Sequence, residues 1–271
     1  MTARFTRSEA MIRLTEGIAD LASSDEWRRY LEFQSRFHRY SFNNVLLIAA
    51  QCPEATQVAG FGAWRKVNRS VRRGERAIWI LAPIVERRVG ARDGGDEDVV
   101  RGFRFVPVFD VSQTEGEELP SVCNRLVGDD PTGHFDRLVA AARSFGFAVE
   151  EYEFTGTING DCSHAERRIR IESRNTPSQR VKTLAHELAH ALLHENFEGR
   201  ELAELEAEST AYVVCATLGM DSGEYSFGYV TARAGGGEEA LAGLRASGGR
   251  IQKAAAAILD SFPPIEVRWA A

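Results

Sequence analysis

The chain has 271 residues, of which 44% are hydrophobic and 27% are charged, as in an ordinary soluble globular protein with room for two modest domains. It contains no run of about 18 apolar residues and does not begin with an apolar signal sequence, so we exclude a membrane-spanning helix and expect a cytoplasmic protein. The net charge of −6 is uneven, with +2 on residues 1–125 and −8 on residues 126–271, which makes the first half the better partner for a polyanion.

The first half of the chain is predicted to begin with helices and to continue with β-strands. The spacing of apolar residues predicts helices over 8–22, 25–38 and 42–51. Dense β-branched and aromatic residues predict strands at 77–82 and 103–109. The glycine-rich stretch 90–96 between these strands is expected to be the loop of a β-hairpin.

Residues 64–76 form a basic segment, with six cations and one anion around Trp64. Charge of this density can follow a phosphate backbone, and a nearby aromatic ring can stack on an exposed base. Upstream, residues 40–44 add two aromatic rings and two side-chain amides. The alternative is a solvated basic turn with Trp64 packed in the core, and the pattern alone leaves both interpretations open.

The hydrophobic pattern lapses between residues 119 and 133, where polar turn residues gather. We therefore expect two domains, 1–125 and 126–271, joined in this stretch. In the second domain, helices are expected at 132–145, from Thr176 onward, at 201–218 and at 238–261, and strands at 147–152 and 168–172. Helices and strands in both halves predict the α+β class.

The stretch His186-Glu187-Leu188-Ala189-His190 is the clearest chemical signal in the chain. Residues 176–179, Thr-Pro-Ser-Gln, are typical of a capping box with proline at the first helical position, which predicts that the motif lies inside a helix. Two histidines four residues apart then project from one helix face and can share a metal ion, for which we expect Zn²⁺. Glu187 is placed to take a proton from an attacking water.

A catalytic zinc site usually has three protein ligands, so the two histidines need one more. On the next predicted helix Glu204 and Glu208 share a face, and Glu206 points away from it. This order resembles the ExxAD or ExxAN element of glutamate-type zincins. The resemblance implies that Glu204 is the third ligand and that Glu208 orients His186 or His190 through the other ring nitrogen. The alternative is that all three glutamates lie on a solvated helix face.

Several other parts of the expected site remain less defined. His194 is a weaker candidate for third ligand, because no glycine breaks the helix before it. Glu187 favours a catalytic over a structural zinc, since structural sites are normally closed by four protein ligands. The strand at 168–172 is expected either to pair with an extended substrate or to be an ordinary edge strand. Oxyanion donors are expected among His164, Tyr212, Tyr225 and Tyr229.

Four stretches of the first half look like the amino-terminal domain of ArdC-type antirestriction proteins. They are residues 40–44, residues 51–53, Trp64 with residues 71–77, and residues 108–116. The similarity continues in the expected order into the second half, which also resembles the ImmA/IrrE metallopeptidases, whereas the region after residue 221 carries no motif of either family. The resemblance implies a single-stranded-DNA-binding domain followed by a zincin-like domain. By this resemblance the DNA-facing residues are Tyr40, Asn43, Asn44, Trp64, Arg65, Lys66, Arg72 and Arg73.

One function and two alternatives follow from the motifs and the resemblance. We expect a zinc metallopeptidase associated with single-stranded DNA, with one Zn²⁺ held by His186, His190 and Glu204, Glu187 as general base, and a protein or peptide as substrate. The first alternative is an antirestriction decoy that binds DNA and never cuts protein. The second is a repressor-cleaving peptidase of the ImmA kind, whose first domain binds a protein partner.

Overall fold

A computed structural model describes residues 9, 12, 14, 16–18, 21, 24–88, 97–119, 133–196, 199–220 and 238–262. The expected hairpin loop at 90–96, most of the expected linker, and the tyrosines at 225 and 229 lie outside these residues. The chain divides into two compact units, one of residues 1–19 and 43–121 and the other of residues 20–42 and 122–271. Both units combine helices with strands, which confirms the predicted α+β class with two domains.

The helices and strands follow the sequence pattern closely. The helices are α1 (Ser24–Arg36), α2 (Phe42–Gln51), α3 (Phe61–Lys66), α4 (His134–Ser144), α5 (Pro177–Leu193), α6 (Arg200–Thr217) and α7 (Glu238–Asp260). The strands are β1 (Val58–Ala59), β2 (Arg69–Val71), β3 (Ile78–Arg88), β4 (Glu97–Asp110), β5 (Thr114–Gly116), β6 (Ala148–Tyr152), β7 (Gly160–Ser163) and β8 (Arg168–Glu172). The predicted hairpin strands are longer than expected, and the short strands β1, β2, β5 and β7 were not predicted. Among the described residues no helix is long and apolar enough to cross a membrane.

The first unit is organised around the antiparallel pair of β3 and β4. Their register runs from Ile78 opposite Val108 to Arg88 opposite Glu97. Strand β1 pairs with the last residues of β4, with Val58 opposite Asp110. On the other side of β3, two amide side chains of α2 bond the strand backbone as a neighbouring strand would. Asn44 bonds the backbone N–H and C=O of Leu81 at 2.8 Å each, and Gln51 bonds those of Trp79 at 3.0 and 2.9 Å. These amides satisfy an otherwise open strand edge.

Two residues predicted to face DNA are part of this interior. Asn44 is 8% exposed, and both ends of its amide are used by β3. Trp64 is 4% exposed, and its indole N–H donates to the backbone oxygen of Phe109 at 3.0 Å. In this structure the ring of Trp64 has no accessible face on which a base could stack, and the amide of Asn44 is engaged by β3, so the structure does not favour DNA contact by either side chain. The alternative interpretation of Trp64 as a core residue is confirmed.

The second unit contains a three-stranded sheet in the order β6-β8-β7, against which α5 packs. Strand β8 is central, parallel to β6 and antiparallel to β7, and its Ile169 and Ile171 are fully buried. The expectation that the strand at 168–172 is an edge was wrong, because both of its sides are already paired. Its alternation of apolar and charged residues reflects two unlike faces of the sheet and not a free edge.

Helices α1 and α7 both pack against α6 in the second unit. The fully buried Trp27 of α1 donates its indole N–H to Ser209 of α6 at 2.9 Å. The buried ring of Phe42 lies edge-on to Tyr30, with ring centroids 5.2 Å apart, and contacts α7 at Gly248. A Cβ atom at Gly248 would lie only 2.1 Å from that ring, whereas a Cβ atom at Gly249 would meet nothing within 4 Å.

The two adjacent glycines of α7 should respond in opposite ways to alanine. We expect Gly248→Ala to lower the free energy of unfolding by about 1–3 kcal/mol, because the ring of Phe42 must move within a packed interior. Gly249→Ala should raise it by up to about 1 kcal/mol, because alanine has the higher helix propensity and the space is open. Urea unfolding of both variants measures the difference, and equal effects would show that α7 does not approach Phe42 as described.

Candidate metal centre

Helix α5 presents the motif histidines because its opposite face is held in the interior. The Thr176 hydroxyl accepts from the backbone N–H of Gln179 at 3.3 Å, and Pro177 is the first helical residue, as the sequence predicts. The side chain of Gln179 bonds Thr183 instead of returning to the cap, so only half of the capping box forms. Leu184 and Leu188 are fully buried, which fixes the rotation of the helix about its axis.

The three side chains predicted to bind metal converge on one point. His186 Nε2 and His190 Nε2 are 3.1 Å apart, and Glu204 Oε2 lies 3.4 Å from the first and 3.7 Å from the second. Ligand atoms that each lie about 2.1 Å from a tetrahedral ion are about 3.4 Å from one another. The nitrogen and oxygen donors of this group, whose ligand atoms all lie within 4.8 Å, therefore fit a single shared ion.

Glu208 lies on the far side of His186. Its Oε2 is 3.1 Å from His186 Nδ1, and Lys182 lies 4.0 Å from its other oxygen. The sequence left open which histidine Glu208 would orient, and the structure places it against His186. A carboxylate at Nδ1 holds the ring so that Nε2 points at the other two donors.

The pKa values of the two motif histidines shift in opposite directions. Burial lowers the pKa of His186, but Glu204 and Glu208 outweigh burial and raise the pKa to about 9. Burial and the neighbouring His186 lower the pKa of His190 to about 4. A proton on His186 thus balances acidic neighbours, which is the role that a bound cation would take over.

Glu187 is almost fully buried beside the three donors, with 8% of its surface exposed. Burial raises its pKa to about 7, despite the opposing effect of His186. Gly160 of β7 lies against the same side chain, because a Cβ atom there would be 3.1 Å from Glu187 Cγ and 2.7 Å from Thr183 Cγ2. The absence of a side chain at residue 160 lets β7 approach the helix closely at Glu187.

His194 and Glu206 lie on the Nδ1 side of His190, opposite the Nε2 atom that faces the other two donors, and His194 also lines the cleft. Helix α5 ends at Leu193, and His194 Nδ1 faces His190 Nδ1 at 2.9 Å, so His194 does not join the group of possible ligands. Glu206 is fully buried and bonds Arg250 of α7. The alternative in which all three glutamates lie on a solvated face is therefore wrong for Glu206.

The converging donors line a cleft of about 770 Å³ in the second unit. Its walls also include residues that the sequence analysis did not select: Asn159, Gly160, Asp161, Cys162, Lys182 and Arg200. Their positions depend on how β7 and the start of α6 approach α5, which no local pattern encodes. Burial and the nearby Glu187 raise the pKa of Cys162 to about 12, so its thiol stays protonated at neutral pH.

The expected oxyanion donors differ in position. His164 lines the cleft, and its Nε2 lies 3.1 Å from the backbone oxygen of His190. Tyr212 is 5% exposed and is not among the residues that line the cleft. His164 is therefore the candidate that the described residues favour.

The remaining residues predicted to face DNA lie in both units. Arg65 and Lys66 form the exposed last turn of α3, and Arg72 and Arg73 are exposed in the turn after β2. Arg72 also pairs with Glu75 at 2.9 Å. Asn43 is half-buried at the start of α2, and Tyr40 is a half-buried residue of the second unit, where burial raises its pKa.

Comparison with known proteins gives matches on both sides of the expected linker. The sequence model of the N-terminal domain of anti-restriction factor ArdC matches residues 10–111, and that of the IrrE N-terminal-like domain, a peptidase family, matches residues 147–215. An uncharacterized protein of Bacillus anthracis is 28% identical over an alignment of 256 residues, and the match covers 77% of this chain. The match spans only 43% of the length of that relative.

Two crystal structures of the antirestriction ArdC protein from the R388 plasmid share the fold. The metal-free structure has a TM-score of 0.51 and 20% identity, covering 82% of this chain and 85% of that one. The Mn(II)-bound structure has a TM-score of 0.50 and 19% identity, covering 84% and 86%. The chain therefore contains a domain of the ArdC N-terminal family at residues 10–111, followed by a domain of the IrrE-like peptidase family at residues 147–215, in a fold like that of ArdC.

Proposed function

We propose that the second unit is a metal-dependent peptidase of the glutamate-zincin type, with His186, His190 and Glu204 as ligands and one Zn²⁺ per chain. The observation that carries this proposal is the 3.1 to 3.7 Å spacing of the three donor atoms. Three protein ligands leave room for water or substrate, as in catalytic zinc sites. Mn²⁺ is a competing ion, because the same donor set accepts several divalent metals and an ArdC structure contains Mn(II).

The chemistry of the proposed reaction divides among residues already placed around the cleft. A divalent metal would supply Lewis acidity toward a water molecule and a peptide carbonyl. Glu187 takes the proton of the attacking water and passes it to the leaving amine. Its burial raises its pKa to about 7, which suits a general base that acts near neutral pH. Glu208 holds His186 in its orientation, and His164 is proposed to donate to the oxyanion the Nε2 hydrogen that bonds the backbone oxygen of His190 in this structure.

The substrate is expected to lie along β7 and not along β8. In the described part of the sheet β7 is terminal, with β8 on one side only, and residues 160–162 line the cleft. A peptide in extended conformation could add to this edge through backbone hydrogen bonds. Gly160 would then bring the peptide next to Glu187, because a Cβ atom at residue 160 would lie only 3.1 Å from Glu187 Cγ.

For the first unit we propose an interaction with single-stranded DNA through exposed cations. Arg65, Lys66, Arg72 and Arg73 support the proposal, since all four are exposed in the turns that flank β2. Phosphate contacts of this kind are sequence-independent and weaken steeply with salt. The buried Trp64 and Asn44 have no part in it.

Binding to single-stranded DNA should depend on these four cations. Replacing all four with alanine should flatten the plot of log affinity against log salt by about 3, because each lost phosphate contact contributes about 0.7 to the slope. Fluorescence anisotropy with a labelled oligonucleotide measures both affinity and slope. A matched control replaces exposed cations of the second unit, namely Arg29, Arg143, Arg245 and Lys253. Equal slopes for the two variants would contradict the proposed surface, and the absence of salt-dependent binding would favour a protein partner of the first unit.

The peptidase proposal is tested by metal analysis together with a cleavage assay on a peptide library. We expect one equivalent of metal and cleavage that a chelator stops and added Zn²⁺ or Mn²⁺ restores, measured with and without single-stranded DNA. Metal bound without any cleavage, but with DNA binding intact, would support the decoy function instead. Cleavage that persists in chelator would contradict a metal-dependent reaction.

A further inference from the structure

A chain of polar contacts leads away from His190 into the interior of the second unit. His190 Nδ1 faces His194 Nδ1 at 2.9 Å, and His194 Nε2 faces Glu206 Oε2 at 3.4 Å. Arg250 Nε lies 3.1 and 2.9 Å from the two oxygens of Glu206, and a second guanidinium nitrogen also bonds that carboxylate. The side chains of His194 and Glu206 are 5% and 0% exposed. These contacts are therefore shielded from water, and hydrogen bonds in the protein interior are stronger than those in water.

The chemistry of the four groups sets the direction of these hydrogen bonds. A carboxylate held by a guanidinium only accepts, so the Nε2 of His194 must carry the hydrogen. In a neutral ring the Nδ1 of His194 is then the acceptor. Because two facing nitrogens 2.9 Å apart need one hydrogen between them, Nδ1 of His190 must be the donor. The remaining nitrogen of His190, Nε2, is left with a lone pair directed at His186 and Glu204.

We propose that His194, Glu206 and Arg250 position His190 and fix its tautomer, so that Nε2 is available to a metal. This inference rests on the proposed metal site. Alternate glutamates of α6 then serve different parts of one centre: Glu204 faces the ion, Glu208 orients His186 directly, and Glu206 orients His190 through His194. His194 is a positioning residue, because it touches a ligand and not the reacting atoms.

The proposal extends the centre to α7, which lies beyond the part of the chain that matches the peptidase-family domain. Arg250 is the charge that balances the buried Glu206, and a buried carboxylate without such a partner is strongly disfavoured. Partners of metal-binding histidines typically change metal affinity by 10- to 100-fold when removed. The same range is expected for His194 and Arg250.

The affinity arm of the experiment measures Zn²⁺ dissociation constants by competition with a chromogenic chelator. We expect His194→Phe, which keeps a ring but has no nitrogen, to raise the constant by about 10- to 100-fold. His194→Asn keeps an acceptor near His190 and should recover part of the loss. Arg250→Met should weaken binding as His194→Phe does, whereas Lys253→Ala, an exposed change on the same helix, should have no effect. Unchanged affinity in His194→Phe would overturn the proposal.

A second arm reads the tautomers of the metal-free wild-type protein at pH 8 by long-range ¹H–¹⁵N correlation of the histidine rings. It needs no variant to fold and no metal to bind. We expect His190 protonated at Nδ1 and His194 protonated at Nε2. The opposite tautomer of either ring would overturn the proposal. A wild-type protein that shows the expected tautomers but binds no Zn²⁺ or Mn²⁺ would instead refute the proposed metal site and leave the positioning of His190 supported.

Discussion

Replacing Glu187 with glutamine is expected to abolish peptide cleavage while leaving metal binding intact. Glutamine keeps the size of the side chain within its buried position beside His186 but cannot take a proton from water. Loss of a general base typically lowers the rate by about 10²- to 10⁴-fold. A fall of kcat/KM within or beyond this range, measured on a fluorogenic peptide selected from the library, is the predicted result.

The control for this change is the metal content of the variant. Glu187 is not one of the three donors that converge, so Glu187→Gln should still bind one equivalent of metal and should unfold at a similar urea concentration to the wild type. Binding to single-stranded DNA should also be unchanged, since the proposed cations lie in the first unit. Cleavage that continues at the wild-type rate would rule out Glu187 as the base.

Replacing Glu204 with alanine is expected to have the second large effect, on metal affinity itself. Glu204 supplies the oxygen donor of the proposed site, 3.4 and 3.7 Å from the two histidine nitrogens. Without it the ion keeps only two protein ligands. We predict that the Zn²⁺ dissociation constant rises by at least about 100-fold and that cleavage is lost with it.

Glu201 offers a matched control for Glu204, because it is an exposed glutamate on the same helix. Glu201→Ala removes the same charge from α6 and should change metal affinity by less than about twofold, since exposed charges act weakly through water. Equal losses in the two variants would mean that net charge, and not coordination by Glu204, governs binding. Unchanged affinity in Glu204→Ala would show that the third ligand lies elsewhere.

Local patterns were enough to predict the helix that carries the motif. The cap at Thr176, the proline after it and the buried leucines at 184 and 188 all act within a few turns of helix. The same is true of the Glu204 and Glu208 pair, whose spacing of four places both carboxylates on one face. Features that depend on i to i+4 spacing can be predicted from a single sequence because the helix itself imposes the geometry.

Features that depend on which helices and strands pack together could not be predicted from the sequence. Trp64 lies in a basic segment, and only the approach of β4 shows that its ring is covered. Asn44 was interpreted as a polar contact residue, although its amide completes the edge of β3. Likewise, Ile169 and Ile171 alternate with charged residues as they would in an edge strand. Only the pairing of β8 on both sides shows that β8 is central and that β7 is an edge strand of the described sheet.

The surroundings of His190 combine a feature that local spacing predicts with one that depends on tertiary contacts. The spacing of His190 and His194 is visible in the sequence, and it was considered only as a question of whether His194 binds metal. The answer depends on Glu206 and on Arg250, which is 44 residues further along the chain. A buried glutamate and an exposed one look alike in sequence, so the partner on α7 carries the decisive information.

The most direct test of the proposed metal centre is anomalous diffraction from crystals of this protein grown with Zn²⁺. We predict a single strong anomalous peak, with His186 Nε2, His190 Nε2 and a Glu204 oxygen each about 2.0–2.2 Å away. His194 should remain outside that distance, in contact with His190 through the Nδ1 atoms. No peak at this position, or a peak coordinated by His194 in place of Glu204, would contradict the account.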